Sequence, residues 1–245
     1  TFAPDLEKYG SLHRAFFLVA GLVERQKEAD YRTLKAFFME NFQSLHPSVQ
    51  EMVQGYLINF AARQIQRQKQ KAFIGEVFEQ MEFGLEREIY LENGLISSLR
   101  FVNMVTVACE LGDFRRAAEF IGKWNACLRT DVREETILIA RAMIAFYRRD
   151  YDQVAQLLLQ LRPQEPLLEV RVRALNVISA IEKGRSRSDT LEMCRNFERY
   201  FKKEGKQILP LKIQRALSNF LRAVRKYLRK STDPRDLEAE INGYP

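Results

Sequence analysis

A chain of 245 residues, 46% hydrophobic and 29% charged, has the composition of a folded protein with a buried core rather than of a disordered segment. Its 11 Gly and 7 Pro are few for this length, which excludes folds that need many tight turns, such as all-β sandwiches and Gly-rich nucleotide-binding folds. Three Cys cannot build a disulfide framework, and a net charge of +7 makes the chain basic without naming a chemistry.

Apolar residues recur every three to four positions almost throughout, which predicts an all-α protein. The spacing predicts a first helix over 6–28, disturbed at Gly10. Its apolar run Ala15–Val23 is far short of the roughly 20 residues that span a bilayer. Asp5 and Glu7 before that run, and the charged residues 24–28 after it, favour a buried helix over a secretory signal. The absence of an initiator Met before Thr1 fits a piece of a longer protein, and the cytoplasm is the expected location. A second helix is predicted over 31–42. Ser48 and Glu51 have the spacing of a capping box and open a third, which runs through Met52, Tyr56 and Phe60 to about Gln68. A fourth, over 71–86, carries Phe73, Val77 and Met81 on one side.

Beyond a break at Glu92-Asn93-Gly94 the pattern becomes regular. Helices over 97–111 and 114–128 meet at Gly112-Asp113. Asp131 and Glu134, spaced as a cap and its partner, open a helix that ends near Arg148 and pairs across Arg149-Asp150 with one over 151–161. Pro163 and Pro166 precede a helix over 167–183, which pairs across Gly184 with one over 189–203. Gly205 and Pro210 lead into a last helix over 211–230, and Asp233-Pro234 opens a short tail. The turns at Gly112, Arg149 and Gly184 lie 37 and 35 residues apart, close to the tetratricopeptide period of about 34. After the first turn Asp113-Phe114 is followed by Ala117, Ile121 and Trp124; after the second Asp150-Tyr151 is followed by Val154, Leu158 and Leu161. An aromatic just past the turn wedges between the two helices, and the small or branched residue three positions on lets them approach. The third copy has Arg185-Ser186 where the acid and the aromatic stand in the others.

These spacings predict a right-handed α-solenoid of antiparallel helix pairs, tetratricopeptide-like, with about 11–12 helices in a single domain. Within it, 1–91 reads as irregular N-terminal helices, 92–205 as the repeats, and 206–245 as a basic helix and tail.

Several stretches carry a family likeness: Tyr9-Gly-Ser-Leu-His-Arg-Ala-Phe-Phe17, Tyr56-Leu-Ile-Asn-Phe60, Glu92-Asn-Gly-Leu95, Asn103-Met-Val-Thr106, Leu111-Gly-Asp-Phe114, Asp150-Tyr-Asp152 and Asn219-Phe-Leu-Arg222. On these the chain resembles a set of uncharacterised helical-repeat proteins of Bacteroidota, distantly tetratricopeptide-like. Arg149 departs from the pattern, where the family's turn tends to have Gly, and the chain stops soon after Gly243 where members tend to continue. The resemblance implies the repeat fold and brings no established activity with it.

No enzymatic chemistry is legible, and neither a cofactor nor a catalytic residue is predicted. His13 and His46 belong to no zinc-ligand pattern. Cys109, Cys127 and Cys194 form no C-x-x-C; Cys109 and Cys127 could approach across a helix pair, but isolated Cys residues of this kind read as reduced core residues. No phosphate loop, dinucleotide fingerprint or nucleophile elbow occurs. Trp124 falls at a position that packs between repeats.

Charge is concentrated at one end. Residues 185–230 hold 14 Lys and Arg against 4 acids, a net +10 within a chain of +7. The last helix alternates an apolar face (Ile213, Leu217, Phe220, Leu221, Val224, Leu228) with cations that include Arg215, Arg222, Lys226 and Arg229. That ridge can be a solvated face, a docking surface for an acidic protein, or a phosphate-binding surface. A second acid-free cluster lies over 63–71. These features fit two functions. The first is a non-catalytic scaffold for protein–protein interaction, in which the first helix of each pair lines a concave groove that takes a protein or peptide through Thr106, Cys109, Thr136, Ile139, Met143, Phe146 and Arg171. The alternative is nucleic-acid binding through the basic patch. In the groove reading Met143 and Phe146 should offer open apolar surface.

Overall fold

The computed structural model describes residues 10–68, 70–161 and 163–229. Among these the regular structure is helical, apart from an isolated bridge between Glu92 and Leu95. The predicted beginning of the first helix, and the tail from Asp233, lie outside the described residues. Eleven α-helices of nine residues or more occur in order: α1 (Ser11–Arg25), α2 (Glu28–Asn41), α3 (Pro47–Gln68), α4 (Ala72–Glu86), α5 (Ser98–Glu110), α6 (Phe114–Trp124), α7 (Arg133–Tyr147), α8 (Tyr151–Leu159), α9 (Pro166–Glu182), α10 (Arg187–Tyr200) and α11 (Leu211–Arg229). Between α10 and α11 the chain forms a π-helical turn over Phe201–Gly205 and a short helical turn over Lys206–Ile208. None of the described helices is long and apolar enough to cross a membrane.

Three inter-helix turns share one hydrogen-bond scheme. Gly112, Arg149 and Gly184 all take the left-handed conformation, with φ of 76°, 63° and 70°. The next amide in each case reaches back to the carbonyl of an alanine, Ala108, Ala145 or Ala180, at 2.9–3.0 Å. This is the Schellman ending, which satisfies the last carbonyls of one helix while reversing the chain. The succeeding helix is then capped by a side chain: Asp113 accepts from the amide of Arg116, Asp150 from that of Gln153, and Ser186 from that of Asp189. Ser186 therefore takes over the capping task in the third copy, where the sequence pattern breaks down.

Two predicted caps are not used. α3 begins at Pro47, and the imidazole of His46 rather than the Ser48/Glu51 pair receives the first free amide, that of Ser48. α7 begins at Arg133 with no side-chain cap, and the Asp131 carboxylate lies 2.6 Å from Arg129. At Asn93-Gly94 both residues have positive φ, 53° and 77°, which suits Asn before Gly in a two-residue reversal.

Packing proceeds from neighbour to neighbour. α1, α2, α3 and α4 enclose a first core around Tyr31, Leu34, Phe38, Leu57 and Phe60. A second core, around Phe101, Met104, Phe120 and Leu128, joins it through Met81, Ile89 and Val107, which touch both. α5 packs on α6 and α7, α7 on α8 and α9, and α9 on α10. α10 and α11 close the last core around Cys194, Phe197, Leu217, Leu221 and Val224. At about 1.5–3 kcal/mol for each large apolar side chain removed from water, these continuous cores dominate the stabilisation.

Candidate partner-binding surfaces

The row α5–α7–α9 holds the residues predicted to line a groove, and most of them are interior. Ile139 is fully buried, and Met143 is 7% exposed. Both lie in one core with Val102, Leu168, Val172 and Leu175, so adjacent helices already cover them. Thr136 is buried, its hydroxyl donating to the Val132 carbonyl at 2.7 Å. Cys109 is buried as well, and loss of solvation pushes its thiol up to about 12. Phe146 is half-buried, edge-on to Tyr147 and Tyr151. The remaining two candidates meet each other. Arg171 reaches from α9 to α5, donating to Asn103 Oδ1 at 2.6 Å and to Thr106 Oγ1 at 3.4 Å. Burial depresses the Arg171 guanidinium below its ordinary value, as expected for a cation used as an internal tie. Of the two residues expected to offer open apolar surface, Met143 is therefore covered by α5 and α9, while Phe146 keeps part of its surface exposed.

The basic residues of α11 behave differently. Arg215, Arg222 and Lys226 are exposed, at spacings of seven and four residues that set them along one stripe. The backbone of Arg229 closes α11; its side chain lies outside the described residues. Arg222 and Lys226, with Arg225 and Ser218, form one wall of a cleft of about 560 Å³. Its floor is Phe201 and Leu221, and its other wall carries Lys202 from the π-helical turn and Lys206 from the short helical turn beyond it. A second hollow of about 490 Å³ shares Phe201, Lys206, Ser218 and Arg222 and continues toward Arg215 and Leu211.

Local sequence explains this construction. A π turn widens the helix by one residue and re-aims the chain beyond it. Gly205 permits it, because an added Cβ would lie 3.0 Å from Phe201 and 3.2 Å from Leu209. Gln214, on the first turn of α11, donates to the carbonyls of Lys206 and Leu209 at 3.0 and 2.8 Å, tying α11 to the segment that precedes it. Glu198 on α10 sits at one end, paired with Arg225 and, at 3.2 Å, with Lys202. The hydrogen bond from Arg225 leads the effects that hold the Glu198 carboxyl below its ordinary value. Arg215, Arg222 and Lys206 make no ion pair among the described residues.

Lys202, Lys206, Glu198 and the apolar floor escape a reading based on α11 alone. Periodicity shows which residues share a helix face, but not which neighbouring segment stands opposite. Gly205 and Pro210 mark the break that makes the second wall.

Elsewhere, among the described residues, no group of three His, Cys, Asp or Glu side chains gathers as metal ligands. Cys194 is buried with its thiol pushed up to about 11, and Cys127 is half-buried. Trp124 packs 6.5 Å from Phe120, its ring partly covered by Lys123. Comparison with family models, with curated proteins and with solved structures gives no match.

Proposed function

We propose that the chain is a non-catalytic helical-repeat scaffold for protein–protein interaction, a right-handed tetratricopeptide-like solenoid of the kind its sequence resembles, working in the cytoplasm and taking its partner at the basic end rather than in the α5–α7–α9 row. The cleft between the π-helical turn and α11 carries this reading: it joins five cations to an apolar floor, whereas Ile139 and Met143 in the repeat row are core. The three identical turns and the neighbour-to-neighbour packing support the repeat architecture.

Affinity capture from extract of the source cell, after nuclease treatment, tests it. Wild-type chain is expected to retain protein partners that the triple variant Arg215→Glu, Arg222→Glu, Lys226→Glu loses. These residues are exposed, so folding should be preserved, as circular dichroism can verify. The second reading, nucleic-acid binding, is favoured by the exposed Arg215, Arg222 and Lys226 stripe; it predicts that the captured material disappears with nuclease and that affinity falls steeply with salt.

A further inference from the structure

We infer that the cleft receives an acidic amphipathic helix: a peptide segment with carboxylates along its flanks and large apolar residues three or four positions apart. The inference rests on the scaffold reading and specifies the partner's chemistry at that site.

Charge supplies the first argument. Lys202 and Lys206 share the first hollow with Arg222 and Lys226, Lys206 shares the second with Arg215 and Arg222, and the chain itself shows what such cations accept. The Glu198 carboxylate is seated at the end of the same cleft between Arg225 and Lys202. Carboxylate–guanidinium pairing is therefore already in place there, and additional carboxylates along the walls would extend it.

Apolar surface supplies the second. Ile208 is 53% and Leu211 71% exposed, large apolar side chains on the chain entering α11, and Leu211 lines the second hollow. The floor residues Phe201 and Leu221 are only 5% and 3% exposed, so the open apolar surface is that of Ile208 and Leu211. A purely ionic ligand would leave that surface in water, whereas an amphipathic helix would cover it with its own apolar stripe. Single-stranded nucleic acid calls for exposed aromatic platforms, and among the described residues the one aromatic lining the cleft, Phe201, is only 5% exposed.

Length supplies the third. The two hollows run together along α11 from Leu211 to Lys226, about 22 Å at 1.5 Å per residue. That is four turns of a docked helix, enough for two apolar anchors and a row of acids on each flank.

Fluorescence anisotropy with the full chain tests this, using a labelled synthetic helix of about four turns with leucines four positions apart and glutamates on both flanks. Binding is expected to weaken about tenfold or more, one decade per 1.4 kcal/mol, in Arg222→Glu/Lys226→Glu. A similar loss is expected when Ile208 and Leu211 are changed to Ser in the protein, or when the leucines are changed to Ser in the peptide. Equal binding of the leucine-free peptide would overturn the inference in favour of charge alone. Tighter binding of a single-stranded RNA oligonucleotide, or of phosphatidylserine vesicles, that displaces the peptide would overturn it in favour of phosphate. If no peptide binds while nuclease-resistant protein partners still depend on Arg215, Arg222 and Lys226, the acidic-helix chemistry falls and the scaffold reading stands. If those partners are also indifferent to the triple variant, both fall.

Discussion

Arg149 occupies a backbone conformation, φ 63°, that its two counterparts give to glycine. A side-chain-bearing residue there costs roughly 1–2 kcal/mol, part of which glycine returns as entropy of the unfolded chain. Arg149→Gly is therefore expected to stabilise the protein by about 0.5–1 kcal/mol, a rise in Tm of roughly 1–4 °C. Thermal melts monitored by circular dichroism would show it, and an unchanged or lower Tm would mean that the exposed Arg149 side chain offsets its own strain. The turn is readable in the sequence despite the arginine, because Asp150 and the aromatic Tyr151 keep their places after it. Ser186 is harder to read: it caps as Asp113 and Asp150 do, but without the aromatic that makes the other copies recognisable.

Among the elements, α2 and α4 are tied by a polar cluster whose protonation matters. Glu76 accepts from Tyr31 at 2.9 Å and from Lys35 at 2.5 Å, and Lys35 also meets Glu79 at 3.1 Å. Burial by itself would raise the Glu76 carboxyl, but the bonds from Lys35 and Tyr31 outweigh it and hold it below its ordinary value. A carboxyl lowered on folding stabilises the folded state above its unfolded value, and that contribution disappears as pH falls through the folded one. Wild-type stability to urea should drop on acidification through and below the ordinary carboxylate range, and Glu76→Gln should be less stable near neutrality and lose less on acidification. Parallel pH profiles for the two proteins would contradict this assignment.

The positions of these helices were largely legible from apolar periodicity and from Gly and Pro at the breaks. Their first residues were less so. Capping is a competition, and at Asp131 an arginine two residues away wins the carboxylate, a contest that spacing does not reveal. The π turn was equally hidden: residues 189–203 read as one helix, and only the packing of Gly205 against Phe201 and Leu209 shows where it widens.

Across the whole molecule, the cations of α11 expected at the surface are exposed at Arg215, Arg222 and Lys226, whereas four of the seven expected groove residues, Cys109, Thr136, Ile139 and Met143, are buried. Periodicity assigns Ile139 and Met143 to one face of α7 without saying whether α5 and α9 leave that face open; they close over it, with Arg171 bridging α9 to α5. At the basic end Gln214 ties α11 to the carbonyls of Lys206 and Leu209, and the cleft there stays open. Such a distribution leaves the exposed cations at one end of the helical array, which is why the proposed contact surface is placed there.

Amide hydrogen exchange of the full chain, alone and with the most abundant protein captured from nuclease-treated extract, tests that account most directly. It predicts that protection increases over residues 198–226, covering the end of α10, the π turn and α11, while α5, α7 and α9 exchange as in the free chain. New protection confined to α5, α7 and α9, with residues 198–226 unchanged, would contradict it and return the binding surface to the repeat row.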